Sequence, residues 1–305
     1  MKHPVYIRSC PAKINLFLEV CGTREDGCHE IETVMQTVSI YDKITLFKNT
    51  NGIKVESNVS WLPRGEGNLA YRAAQTFFSR TDTAGGVLIR MDKHIPPGRG
   101  LGGGSSNCAG VLAGLNMMYR TGMRVEQIAG IGDSLGSDVP FFVYGGTALC
   151  KGRGEEIEPL DIETVFTYVV VLPDIHVSTK RIYQYMRSEG RYPDNPLTSE
   201  QVIAALDRGD TGLLSRSLFN RLEEPAFACF PELKTLYEEL NRTGKGTYTL
   251  TGSGSAFFLP VRTREEGLEE MQRLASLRIR YNCDVVCCEG NVRGANYEDY
   301  GSEID

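Results

Sequence analysis

The densest candidate for chemistry is the run Pro96-Pro97-Gly98-Arg99-Gly100-Leu101-Gly102-Gly103-Gly104-Ser105-Ser106, in which five of eleven residues are glycine. Before it, Val87, Ile89 and Met91 alternate as in a half-buried strand; after it, Cys108, Val111, Leu112, Leu115 and Met118 recur at helical spacing. A glycine loop emptying into a helix leaves unpaired backbone N–H groups aimed at one spot, and the helix dipole adds partial positive charge there. That spot suits a phosphate. The run is not a Walker A loop, because Ser105 and Ser106 rather than a lysine follow the last glycine. Gly98, Gly100 and Gly103 satisfy G-x-G-x-x-G, but Asp92 to Ile95 and two prolines stand between strand and first glycine, unlike a dinucleotide fold. The plain alternative is a flexible surface loop; the flanking strand and helix favour phosphate binding.

Single polar residues add to this. Residues 12–20 alternate so that Lys13 and Asn15 emerge from one strand face, as part of a site or of a solvated polar face. Asp138, two residues before Pro140, is either a helix N-cap or a carboxylate available for proton transfer. Gly252-Ser253-Gly254-Ser255 forms a second tight loop. The nine cysteines show no C-x-x-C pair, and the four histidines are dispersed. Reduced thiols are expected, and no resident metal site, although Cys283, Cys287 and Cys288 cluster.

Regular elements must position these groups. Strands are expected near 34–40 and 43–48, and a helix capped by Asn68 runs to about Ser79 with Leu69, Ala73 and Phe77 inward. Trp61 is expected to pack. A helix over 125–135 and a strand over 147–151 complete the first half, with a boundary near 160–165. Beyond it come a strand over 166–172, a helix opened by Ser178 or Thr179 and carrying Tyr183, and a helix boxed by Thr198 and Gln201. A helix ending at Gly244, strands over 248–251 and 256–259, a helix with Leu268, Met271 and Leu274, and a strand over 283–287 follow. With the extra helices as insertions, that order approximates a split βαββαβ sandwich. The domains expected are 1–163 and 164–288, with a polar acidic tail over 289–305 that frays.

At 305 residues the chain holds about two cored domains, and 41% hydrophobic with 24% charged content is ordinary for a soluble protein. A net charge of −6 gives no global attraction to nucleic acid or anionic membrane. No apolar run has the length of a membrane span or signal peptide, so a cytoplasmic protein with small-molecule partners is expected; oligomeric state is not legible.

Pro11-Ala12-Lys13-Ile14-Asn15-Leu16, the loop from Pro96 to Ser106, and Leu250-Thr251-Gly252-Ser253-Gly254-Ser255 together resemble the three signature motifs of the GHMP kinases. Asp26-Gly27-Cys28-His29-Glu30, Gly136-Ser137-Asp138-Val139-Pro140 and Gly152-Arg153-Gly154-Glu155 are similar to one branch of that family. The resemblance covers about residues 9–288 and implies an α+β fold: a ribosomal-protein-S5-like N-terminal domain and a ferredoxin-like C-terminal domain. It implies ATP and Mg²⁺, with Asp138 as base on an acceptor alcohol and Lys13 beside it. ATP would lie on Pro96 to Ser106 and Asn68, with Ser105 and Ser106 as hydroxyl donors or Mg²⁺ ligands.

For that branch the implied acceptor is the 2-hydroxyl of a methylerythritol carrying a diphosphocytidyl group. Asn15, His29, Tyr183, Gly252 and Gly254 would be substrate-side residues, with His29 on the base edge and Tyr183 stacked on cytosine. The family has a tyrosine where this chain has Cys28, so the aromatic sandwich is incomplete. Tyr183 or Tyr185 compensates, affinity is lower, or the acceptor differs. The alternatives are a sibling alcohol kinase with another acceptor, or a silent nucleotide-binding sensor.

Overall fold

A computed structural model describes residues 6–24, 27, 29–50, 52–190 and 195–291. The strand that carries Lys13 and Asn15 runs as β1 (Tyr6–Thr23) and pairs antiparallel with β2 (His29–Asn49). β2 is one strand, not the two expected near 34–40 and 43–48. Its partners step from Ala12↔Val38 to Pro11↔Tyr41, so a bulge takes up Ser39 and Ile40 and bends the strand without ending it.

The chain continues through β3 (Ile53–Ser57), α1 (Leu69–Thr81), β4 (Gly86–Asp92) and α2 (Gly103–Tyr119), then α3 (Val125–Asp133), α4 (Val139–Tyr144), β5 (Thr147–Lys151) and β6 (Glu156–Leu160). The first sheet has the path β3-β4-β2-β1, with β5 on another stretch of β2 and β6 outside it. Asn68 caps α1, accepting from Ala70 N at 2.9 Å, and α1 buries Ala73 and Phe77. Those residues join Leu112 and Leu115 of α2 and Ile44, Leu46 and Ile89 of the sheet in one apolar core. Trp61 does not pack: it is 63% exposed on the loop before α1.

The second half contains β7 (Thr167–Pro173), α5 (Thr179–Glu189), α6 (Ser199–Asp207), α7 (Thr211–Ser217), β8 (Phe219–Asn220), α8 (Glu223–Cys229) and α9 (Pro231–Thr243). Then come β9 (Thr249–Leu250), β10 (Phe257–Val261), α10 (Arg264–Arg273), α11 (Ala275–Arg280) and β11 (Cys283–Glu289). Its sheet is antiparallel in the order β11-β7-β10-β9. Counting those strands along the chain gives 4-1-3-2, the order of the expected ferredoxin-like sandwich. Leu268, expected on the inner face of its helix, is 47% exposed; Gly267 and Glu270 are the buried residues of α10.

The two halves share apolar contacts and strands. β8 returns to the first sheet and pairs in parallel with β1, Phe17 facing Phe219. Ala12, Ile14, Leu16 and Phe17 of β1 pack with Val170 and Phe258 of the second sheet in a common cluster. β1 is therefore covered on both faces, and the solvated-face alternative for Lys13 and Asn15 is excluded: they are 5% and 3% exposed. β11 runs through Glu289, and Gly290 bridges to Val38, so the chain is still structured where the tail was expected to begin. Residues 292–305 lie outside the described residues. Among the described residues the cysteines are free thiols and no group of three or more His, Cys, Asp or Glu is arranged for a metal.

Candidate active site

Helix α2 opens directly from the glycine run. Gly102 occupies its N-cap at φ 69° and offers no side-chain cap, so the first-turn N–H groups are left for a ligand. Gly98 and Gly100 are also left-handed, at φ 69° and 77°. At Gly100 a β-carbon would stand 2.4 Å from Thr251 O, and at Gly102 it would meet the Phe142 ring at 2.7 Å and Lys13 Cγ at 3.1 Å. Only glycine permits this approach. Lys13 N donates to Leu101 O at 3.0 Å and Ala256 N to Arg99 O at 3.2 Å, which stitches the loop between β1 and the 251–256 segment. The three motif stretches thus meet in space.

A buried polar cluster braces the loop from below. Asp42, fully buried, accepts from His94 N at 2.7 Å, Ile95 N at 2.8 Å and Asn107 Nδ2 at 2.9 Å, and also pairs with Lys93. Lys93 Nζ donates further to Asn107 Oδ1 at 2.8 Å. The chain entering the loop and the helix leaving it are fixed to one carboxylate.

Lys13 Nζ donates to Asn15 Oδ1 at 2.6 Å. Burial lowers the Lys13 ammonium below the usual lysine range, and Asp138 opposes that shift by favouring the charged form. Asn15 is itself held: its Nδ2 donates to Thr33 Oγ1 at 2.9 Å and its backbone N to Thr251 Oγ1 at 3.0 Å. Asp138 sits at the N-cap position of α4 but makes no side-chain cap bond. The capping alternative therefore fails on geometry, and the carboxylate is left to the cleft it lines.

At the far end His29 is buried, and its Nε2 has no hydrogen-bond partner among the described residues. Burial, and then the Arg187 guanidinium, push its pKa below the usual histidine value, so the ring is neutral at pH 7 with one donor and one acceptor nitrogen. Tyr183 stacks on it from α5, centroids 4.4 Å apart, and Arg187, one turn on, donates to Gly27 O. One cleft of about 610 Å³ is lined by Lys13, Asn15, His29, Asp138, Tyr183, Gly98, Gly100, Gly102, Gly252 and Gly254, along with Thr33, Ser137, Arg153 and Arg187.

The sequence agrees with two family models in chain order: "GHMP kinases N terminal domain" over residues 68–146 and "GHMP kinases C terminal" over residues 202–276. A 4-diphosphocytidyl-2-C-methyl-D-erythritol kinase of Shouchella clausii is 38% identical over 255 residues, covering 83% of this chain and 84% of the relative. The chain is a GHMP kinase. The protein of the same name from Symbiobacterium thermophilum is 37% identical, with 88% of this chain and 95% of the relative covered. The crystal structure of a 4-(cytidine 5'-diphospho)-2C-methyl-D-erythritol kinase superposes with a TM-score of 0.76 at 33% identity, over 94% of this chain and all of that one. A homoserine kinase from Cytophaga hutchinsonii, at 17% identity and TM-score 0.72 over 96% of each chain, shares the fold.

Two side chains expected on ATP have partners within this GHMP kinase. Arg99 turns from the loop to the second domain, where it pairs with Asp174, donates to Ile175 O and contacts Ser255 Oγ at 3.4 Å. Only its backbone belongs to the loop. The Asn68 amide oxygen accepts from Ala70 N, and its Nδ2 donates to Pro63 O at 2.8 Å. Ser106 Oγ is buried without a partner among the described residues, whereas Ser105 Oγ lies beside Gly136, 3.9 Å from where a β-carbon would be. Cys28 lies outside the described residues. Sequence reading missed Thr33, Thr251 and Asp42, whose roles depend on long-range hydrogen bonds, and Arg187, whose i,i+4 spacing from Tyr183 is a usable signal. Among the described residues no helix is long and apolar enough to cross a membrane.

Proposed function

We propose that this kinase transfers the γ-phosphoryl group of ATP to the 2-hydroxyl of 4-diphosphocytidyl-2-C-methyl-D-erythritol, in isoprenoid synthesis by the non-mevalonate route. The observation that carries the reading is the two-ended cleft. The glycine loop, Lys13 and Asp138 share it with a buried, unpartnered imidazole edge and a stacked tyrosine. One end suits a polyphosphate and a reacting alcohol, the other a nucleobase.

In this reading the loop amides hold the ATP phosphates. An alcohol is a poor nucleophile at neutral pH, so Asp138 orients the acceptor hydroxyl and takes its proton as the new O–P bond forms. The bond from the γ-phosphorus to the bridging oxygen breaks, and ADP leaves. Lys13 sits where negative charge spreads over the transferring oxygens, and Asn15 aims its ammonium. His29 presents its edge to cytosine, and Arg153, paired with Asp133 and Glu155, stands on the cleft wall.

Mg²⁺ that travels with ATP needs only one or two protein oxygens besides phosphate and water. The hydroxyls at the start of α2 fit that need, Ser106 Oγ being buried without a partner among the described residues and Ser105 Oγ standing beside the Gly136 turn, and the ion would neutralise phosphate charge. The direct test is turnover of this acceptor by purified protein with ATP, the product read by phosphorus NMR. Failure with this acceptor, alongside turnover of a different alcohol, would move the protein to a sibling activity.

A further inference from the structure

The short strand β8 belongs to neither signature motif nor cleft, yet it joins β1, which carries Lys13, to the 250–252 backbone. β1 carries Lys13 and Asn15, and its Leu18 pairs with Asn220 of β8. Asn220 is buried, and its Nδ2 donates to two carbonyls, those of Leu250 and Gly252, each at 2.7 Å. Its Oδ1 accepts from Leu222 N at 3.0 Å. The two carbonyls flank Thr251, whose Oγ1 accepts from Asn15 N and lies 3.4 Å from Asn15 Oδ1, the acceptor of Lys13 Nζ. A β-carbon at Gly252 would lie 3.3 Å from Asn15 Oδ1 and 3.4 Å from Lys13 Nζ. Glu223, at the start of α8, holds the same segment by accepting from Leu250 N at 2.8 Å.

We infer that Asn220 is a positioning residue for phosphoryl transfer: its amide clamps the 250–252 backbone over Lys13 and Asn15, so the ferredoxin-like domain sets where a lysine of the other domain stands. This rests on the kinase reading above. The chemistry is specific to an amide, because two converging carbonyl acceptors need two donors on one planar nitrogen. A carboxylate of the same size offers at most one donor, and an alanine none.

Asn220→Ala is expected to lower kcat roughly 10- to 100-fold, as misplacement of about 1 Å does, with KM for ATP nearly unchanged. Asn220→Asp keeps the size and adds a signature that a folding defect lacks. Its protonated form donates to one carbonyl, while its charged form faces two carbonyl oxygens. Activity relative to the parent is therefore highest at low pH and falls as pH rises. The charged groups on the surrounding elements are Glu223 of α8, Arg221 paired with Glu19 of β1, and Lys13 beyond Thr251.

Hydrogen exchange read without substrate gives a second measure. In Asn220→Ala, amides over residues 248–256 are expected to exchange faster, while those of α2 match the parent. Unchanged kcat in folded Asn220→Ala, a pH-independent loss in Asn220→Asp, or unchanged exchange over 248–256 each overturns the inference. If the parent fails to turn over the proposed acceptor, the functional reading falls while the exchange measurement still decides the role of Asn220.

Discussion

His29 and Tyr183 stack across the domain boundary, ring centroids 4.4 Å apart and planes 28° from parallel. One ring opens β2 of the first sheet; the other stands on α5 of the second domain. Rings this close leave no slot for a third between them. A base that stacks on the Tyr183 face covered by His29 must part the pair.

Removing the tyrosine should therefore act on binding of the nucleoside end and not on the transfer step. Base stacking on an aromatic is worth about 1–3 kcal/mol, and breaking the His29–Tyr183 stack offsets about 0.5–1.5 kcal/mol of it. Tyr183→Ala is expected to raise KM for the cytidine-bearing acceptor roughly tenfold with kcat nearly unchanged. Tyr183→Phe keeps the ring and should stay close to the parent. Steady-state kinetics at saturating ATP decides; an unmoved KM in Tyr183→Ala removes Tyr183 from the base site.

Asp138→Asn keeps shape and hydrogen-bonding reach but cannot take a proton. The expected result is a kcat lowered roughly 10²- to 10⁴-fold, with ATP affinity kept because the loop amides hold the nucleotide. Titration with a non-hydrolysable ATP analogue beside single-turnover kinetics separates the two. Retained kcat would make the residue a structural one at the start of α4.

Local chemistry was legible where one segment carries the whole signal. The glycine run, the Asn68 cap and the Thr198–Gln201 box are each written within a few residues, and each stands where its spacing puts it. Groups that depend on distant partners were not legible. Arg99 reads as a loop cation, but its guanidinium finds Asp174, which lies 75 positions along the chain. Asp42 reads as the break between two strands because nothing local reveals that Lys93 and Asn107 close on it. Asp138 was ambiguous for the opposite reason: its sequence context is that of a cap, and only the missing cap bond tells the roles apart. Trp61 shows the limit of composition, since a lone large aromatic is more often buried than exposed.

Glu223 gives a pH dependence of stability. Burial raises its carboxyl from 4.5 to about 7, against the lowering effect of the Leu250 N–H it accepts. A carboxyl whose folded pKa is raised contributes stability fully present below the unfolded pKa and lost as pH rises through the folded one. The parent should thus lose stability between about pH 4.5 and 7, by up to about 3 kcal/mol from this group. Glu223→Gln keeps an acceptor for Leu250 N without the charge. Its melting temperature should match or trail the parent at pH 5 and exceed it at pH 8. Parallel pH curves for the two proteins would contradict the assignment.

Gly100 and Gly190 share a left-handed backbone, φ 77° and 66°, but not the same surroundings. Among the described residues a β-carbon at Gly190, the C-cap of α5, would have nothing within 4 Å, whereas at Gly100 it would stand 2.4 Å from Thr251 O and 3.1 Å from Gly254 O. Both alanine variants carry the left-handed cost of about 1–2 kcal/mol. Only Gly100→Ala adds overpacking, about 1–3 kcal/mol more, because backbone oxygens cannot swing aside as a flexible side chain can. The strain falls where the glycine loop meets the segment over Lys13. Gly190→Ala should therefore melt slightly lower with unchanged kinetics, while Gly100→Ala should melt lower still and lose at least about tenfold in kcat. If the two variants differ neither in melting nor in kcat, the close approach of the two loops is not what the transfer geometry requires.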